Sequence, residues 1–395
     1  MGALSPRRLR APDRALAELL RAVAAARPAS PEPFHSLNSE DWEALTALVL
    51  SHKLAIAVAP ELARLGMPPH QAEVLAETAR RHHLHTQVLL LDLAEILRVL
   101  EAAGAGPVVL KGAALAQAFG RPRVFGDLDV LVPKTALEHA SQALEQLGYR
   151  PHETVRARVF YERYHFHRVL RGRSGITLEL HWALSRPSDY FFIDPEGIRA
   201  RARVLPFQAT TMRVPHESDQ LLHAAAQSLR EGFVEARRIL DTHLLLEHGA
   251  ADEPALADRA RDAHLSTALW LLLRVSGALL RTEETALAPR LRPARWRRAC
   301  LEALDPVGVL LERRTAAVHG LRGWIVLLCA PSAGVTAHTL WRNVFPGERG
   351  LLDDGHAPDA LPGRTHRLLL ALKRLAQTGR LLAYQFLCLL RRQEG

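Results

Sequence analysis

Cysteine is scarce. The 395 residues contain three, Cys300, Cys329 and Cys388, far apart and outside any metal-ligand spacing. That excludes a disulfide framework and a cysteine-bound zinc, and it predicts buried thiols in a reducing compartment. Aromatic residues make up only 6%, which offers few stacking platforms for single-stranded nucleic acid. No helix-turn-helix, zinc-finger or RNP-type signature accompanies them, so nucleic acid ranks last among the expected partners. Long apolar runs are missing too. The opening MGALSPRRLRAPDRALAELL has neither the unbroken apolar segment nor the small-residue cleavage site of a signal peptide. Residues 323–341 carry no Asp, Glu, Lys or Arg, but Pro331, Ser332, Thr336, His338 and Thr339 interrupt them. A buried helix and loop is expected there rather than a membrane span, and a cytoplasmic location for the chain.

What is present is ordinary for a globular protein: 48% hydrophobic and 24% charged residues, in a length that allows two or three domains. The net charge of +9 comes from arginine. It favours anionic partners without choosing among them, and coding bias explains it equally well.

Residues 13–103 read as helical, with Asp13 near the start of the first helix and Ser39 capping the second. A third, long helix ends at Gly104. It carries His82 and His85 on one face, where a packed or solvated surface outweighs a metal pair. The pattern then changes. PVVLK reads as a strand, AALAQAF as a helix, DLDVLV as a strand and KTALEHASQALEQLG as a helix closed by Gly148. YHFHRVL and GITLELHWAL follow as strands, and VLPFQATTMRVP as a hairpin. Helices return from His216. The fold class expected is α+β: a small mixed-sheet core at 105–215 between helical regions at 1–104 and 216–341. An exposed loop and a basic amphipathic helix occupy 342–395. That last helix is expected to pack on the protein or on a second subunit, with a peripheral membrane contact as the alternative.

The chemistry concentrates in residues 106–133. Asp127 and Asp129 are two apart on a strand, so both carboxylates face one side. Two such charges repel unless a cation lies between them, and a divalent metal with oxygen ligands resolves that. The competing reading is a solvated acidic pair on an edge strand. Upstream, Lys111-Gly112-Ala113 opens a helix whose free N–H groups and dipole favour an anion, and Gly112 lets a phosphate approach the backbone. Arg121 and Arg123 are candidates to neutralise phosphate oxygens, Arg121 with the stronger claim to be plain surface. Transfer with two metals needs a third carboxylate, and Glu179 in TLELHWAL supplies one. His181 shares its face, as a ligand to phosphate or carboxylate or as a satisfied core histidine.

These motifs resemble the nucleotidyltransferase superfamily of the DNA polymerase β type. LKGAALAQAFG, Arg123, Asp127-Leu-Asp129-Val-Leu-Val and LELHW together resemble, more closely, a bacterial family of uncharacterised nucleotidyltransferases, over roughly residues 35–250. This chain has Gly112-Ala113 where Gly-Gly or Gly-Ser is usual, and Glu179 where Asp is usual. It has Gln227 where the first downstream helix usually has histidine, and Asp241 at the matching acidic position of the second. The resemblance implies that Asp127, Asp129 and Glu179 are catalytic and hold two Mg²⁺. It places a nucleoside triphosphate on Lys111, Gly112, Ala113, Arg123 and His181, and implies transfer of its NMP to a hydroxyl-bearing acceptor with release of pyrophosphate. The alternative is a catalytically weak nucleotide-binding regulatory protein of the same fold.

Overall fold

The structure, a computed structural model, describes residues 9–121, 123–152, 162–172, 175–233, 235–304, 306–311 and 316–344. Four helices open it: α1 (Ala11–Ala24), α2 (Ser39–Ser51), α3 (Ala55–Arg64) and α4 (Pro69–Ala102). Asp13 lies in the first turn of α1, where Arg10 pairs with it at 2.9 Å. The cap of α2 is Asn38 rather than Ser39. Its side chain accepts the Asp41 amide at 2.9 Å, and Asp41 accepts the Asn38 amide at 3.3 Å. Asn and Ser are comparable caps, and the acid three residues after Asn38 decides between them. α4 runs 34 residues, about 50 Å at 1.5 Å per residue. Its first half buries Leu75 among the N-terminal helices; its second half buries Leu89, Leu93, Ile96, Leu97 and Leu100 on the sheet.

The sheet region contains β1 (Val108–Val109), α5 (Lys111–Phe119), β2 (Asp127–Leu131), α6 (Leu137–Gln146) and β3 (Arg150–Pro151). β4 (His167–Arg171), β5 (Thr177–His181), α7 (Pro195–Arg201), β6 (Arg203–Phe207) and β7 (Thr210–Val214) follow. The first five strands form one mixed sheet in the order β1-β2-β5-β4-β3, and β6 and β7 form the expected hairpin. β2 and β5 are parallel, with Asp129 opposite Glu179, and β4 is antiparallel to β5, with His167 opposite His181. Strand alternation sorts the side chains. Leu128, Val130, Leu170, Leu178 and Leu180 are buried in one cluster with the second half of α4 and with Leu137, Ala140 and Leu144 of α6. Asp127, Asp129, Glu179, His181 and His167 share the other face. β2 is flanked by β1 and β5, so the aspartates are not on a solvated edge.

The C-terminal helices are α8 (Glu217–Glu231), α9 (Ala236–Glu247), α10 (Leu256–Asp262), α11 (Ser266–Leu280), α12 (Leu287–Arg290), α13 (Arg295–Ala303), α14 (Pro306–Leu311), α15 (Ala316–Cys329) and α16 (Ala333–Val344). The uncharged stretch is thus two helices, broken at residues 330–332. Among the described residues no helix is long and apolar enough to cross a membrane. Of the thiols, Cys329 is buried, and burial pushes it up to about 12. Cys300 is exposed, contrary to expectation, because it falls on the solvent side of the short, arginine-rich α13. Cys388, the basic terminal helix and the loop from residue 345 lie outside the described residues. Helices before and after the sheet contribute to one core: Leu16, Leu19 and Leu20 of α1 cluster with Leu269 and Trp270 of α11. Arg21 ties the same two helices by donating to the Leu279 carbonyl at 2.9 Å.

Candidate active site

β2 and β5 hold the acidic centre. Because they are parallel neighbours in register, Asp129 and Glu179 sit side by side. His181 follows Glu179 by two residues, and its Nε2 lies 2.9 Å from Asp129 Oδ1 and 3.2 Å from Glu179 Oε2. The Lys111 ammonium pairs closely with Asp129 and lies 3.5 Å from Glu179. Two carboxylates are therefore met by two cationic groups of the chain itself. Asp127 sits half-buried at the edge of this cluster.

The charge states follow from these contacts. Burial and the neighbouring Asp129 raise the proton affinity of Asp127. For Glu179 burial acts upward, but the His181 hydrogen bond and the Lys111 charge together hold it well below the usual carboxylate range. Burial of His181 acts downward and is outweighed by its bonds to Asp129 and Glu179, so the imidazole is raised. Lys111 behaves alike: burial lowers it, and the carboxylates of Asp129 and Glu179 more than restore it.

Lys111 is placed by an unusual backbone. It begins α5 with φ +52°, a left-handed conformation that non-glycine residues seldom adopt. The Leu110 amide donates to the Asp129 carbonyl at 2.9 Å, which pins this strained turn to β2. No side chain caps α5, so its first N–H groups are available to an anion. Gly112 has a reason other than the phosphate approach read from sequence. A Cβ there would lie 2.7 Å from Phe125 Cβ, so glycine is required by packing under the loop that leads to β2. Ala113 is buried in the sheet core, and its methyl fills apolar space.

Arg123 is not beside the acidic cluster's cations. It is nearly buried in an ion pair with Asp241 of α9. Burial and the adjacent Arg237 guanidinium push it down to about 9. Arg237 in turn donates to the Val124 carbonyl. Arg121 is exposed nearby. Gln227 bonds Arg238 on α9, away from the acids.

Two histidines escaped the sequence reading. His223, one helical turn before Gln227, is buried on α8. Burial and the charges of Lys111, Arg230 and His181 hold it well below the ordinary imidazole value, so it stands near the acids as a neutral group. The signal is a polar residue on the buried stripe of α8, four positions before Gln227. His167 pairs across β4 with His181, their rings 5.1 Å apart. Burial and the His181 charge lower it to about 3. Its role needed the β4–β5 register, which no local pattern encodes.

The donor set suits a divalent cation: three carboxylates on one sheet face, with imidazoles beside them. Among the described residues, the donor atoms of His167, Glu179 and His181 lie within 4.8 Å of one another. The Lys111 ammonium occupies the space between Asp129 and Glu179. His82 and His85 join no such group of three there.

No curated protein matches the sequence. A family model described as uncharacterised nucleotidyltransferase matches residues 38–281, a span that takes in α2 through α11 and every group of the acidic centre. With the sheet, the parallel acidic strands and the helix at Lys111 in place, the chain belongs to this family of uncharacterised nucleotidyltransferases.

Proposed function

We propose that the chain moves an NMP group from a nucleoside triphosphate to a hydroxyl-bearing acceptor, at the face formed by Asp127, Asp129 and Glu179. The observation that carries this is the meeting of three elements. Two parallel strands present adjacent carboxylates, and the uncapped N-terminus of α5 delivers Lys111 onto them. The phosphates lie against the first N–H groups of α5, where partial positive charge is fixed in place. Lys111 follows them, exchanging a carboxylate for a phosphate oxygen and stabilising charge as it shifts to the leaving pyrophosphate. The acceptor oxygen attacks the α-phosphorus; the bond to the β-phosphate oxygen breaks, and pyrophosphate leaves. The acceptor's proton passes to a carboxylate of the face, a role that suits Asp127 with its raised proton affinity. Divalent ions such as Mg²⁺, held by Asp127, Asp129 and Glu179, would supply charge neutralisation on the phosphates. His181, bonded to both Asp129 and Glu179, fixes the orientation of the two carboxylates.

A second reading is favoured by the Lys111 ammonium between Asp129 and Glu179. A cation of the chain already neutralises the site, as in a protein that binds nucleotide without turning it over. Binding of labelled ATP, GTP, CTP and UTP with and without Mg²⁺ separates the readings from their rivals. Nucleotide binding should need the metal and be lost in Asp127→Asn plus Asp129→Asn; full binding by that double variant sinks the assignment. Pyrophosphate release with a cell extract as acceptor source supports transfer. Metal-dependent binding without release supports the second reading.

A further inference from the structure

A cleft opens between the N-terminal helices and α9, against the segment that leads into β2. Its walls come from α1, from the α2–α3 junction, from Arg121, Arg123 and Val124 and from α9, and with its open mouth it encloses about 650 Å³. The floor is aliphatic, formed by Val23, Leu54, Ala57, Leu240 and Leu244. Above it stand four cations, Lys53, Arg121, Arg123 and Arg237, against two carboxylates, Asp241 and Glu247, the latter 3.4 Å from His243. Arg123 is matched by Asp241, and Arg237 reaches Glu235 at 3.3 Å. Lys53 and Arg121 form no ion pair within 4.0 Å among the described residues, so the cleft keeps an excess of positive charge. A second hollow, about 600 Å³ with its mouth, shares Val23, Ala57 and Arg121 and continues toward Arg27 and Glu61.

We propose that this continuous groove is the acceptor's site, and that the acceptor is an elongated anionic molecule with an apolar body. The proposal rests on the nucleotidyl-transfer reading above. Three observations support it. Val124 lines the groove three residues before Asp127, so the groove runs along the segment that leads into the strand of the two aspartates. No residue of α5 or β5 lines it, which leaves the triphosphate's place separate. Among the described residues no Phe, Tyr or Trp lines it either, so they give it no stacking surface of the kind that suits a nucleobase. Aliphatic walls with a cationic rim match an anionic amphiphile: the body buries apolar area while the anionic group meets Lys53 and Arg121. The acceptor hydroxyl then points toward the carboxylate face, where a carboxylate takes its proton as the oxygen–phosphorus bond forms.

The test uses the full chain and 8-anilinonaphthalene-1-sulfonate, an anionic probe with an apolar body, followed by fluorescence. Saturable binding of one probe per chain is expected. Lys53→Glu plus Arg121→Glu, both exposed, should weaken it at least tenfold, and Ala57→Trp should abolish it. All these variants should retain metal-dependent binding of whichever NTP binds the wild type best. Probe affinity within twofold of wild type in the charge-reversed protein overturns the proposal. Competitive displacement of the probe by the NTP also overturns it, by giving the groove to the nucleotide. In a second arm, a cell extract is split on an anion exchanger before transfer from α-labelled NTP is measured. Acceptor activity should reside in the retained fraction and be lost with Ala57→Trp; activity confined to the unretained fraction overturns the proposal. Asp127→Asn plus Asp129→Asn should lose NTP and keep the probe. If that variant keeps NTP instead, the transfer reading fails while the groove's ligand class stands.

Discussion

At the scale of single residues, the site is a balance of charge, and His181 is its most exposed point to pH. Its folded-state proton affinity is raised above the ordinary value of 6.5. Its contribution to stability is therefore full below pH 6.5 and is lost as pH rises through the raised value. Glu179 runs the opposite way: depressed from 4.5, it stabilises above that value and loses the effect as pH falls through its lowered one. The urea midpoint of the wild type should fall on the alkaline side of pH 6.5 more steeply than that of His181→Gln. Parallel curves for the two proteins would show that His181 carries no charge. Gly112→Ala should destabilise by about 2 kcal/mol from overpacking against Phe125. Trimming the ring in Gly112→Ala plus Phe125→Leu should recover part of that loss in the same denaturant assay. The aspartates were legible in sequence because strand periodicity alone puts residues two apart on one face. Gly112 was legible as important but not for its reason, since its neighbour Phe125 is thirteen residues away and meets it only after the chain turns back.

Among the elements, α9 matters more than its sequence suggests. It brings Asp241 to Arg123, and Arg237 to the Val124 carbonyl, locking the loop that precedes β2. Arg123 reads in sequence as a phosphate ligand because it stands four residues before Asp127; its partner comes from α9, more than a hundred residues on. Removing the partner leaves two guanidinium groups adjacent and nearly buried. Asp241→Asn should lower unfolding stability by about 3 kcal/mol, measured by guanidinium titration, and a change under about 0.5 kcal/mol would mean that the pair is solvated. Strands and helices were largely foreseen where hydrophobic periodicity was strong, as in β2, β5, β6, β7 and α8. β1 is shorter than the apolar run implied because only Val108 and Val109 pair with β2 before the chain turns at Leu110. The α+β class followed from this alternation. The order of strands did not, because parallel pairing of β2 with β5 is set by tertiary contact.

For the molecule as a whole, the helices that precede the sheet and those that follow it are joined through a single apolar cluster. Leu16 and Leu269, far apart in sequence, are both completely buried in it. Each Leu→Ala change should cost about 3 kcal/mol. Both should shift one and the same unfolding transition, monitored by far-ultraviolet circular dichroism and by tryptophan fluorescence. Separate transitions, each moved by one substitution only, would show that the two helical regions fold independently. Sequence periodicity marks both regions as amphipathic without saying that their faces meet, because a helix stripe records that something covers it and not what.

That shared core has a bearing on how the protein comes into being. The groove's one wall is made early in synthesis, from residues near 20 and 50, and the other only once residues 237–247 have left the ribosome and docked. The residues of the carboxylate face have all been made by residue 181, before either α8 or α9. A chain that ends before α9 thus lacks one wall of the groove, and with it the Asp241 and Arg237 contacts that hold the segment before β2.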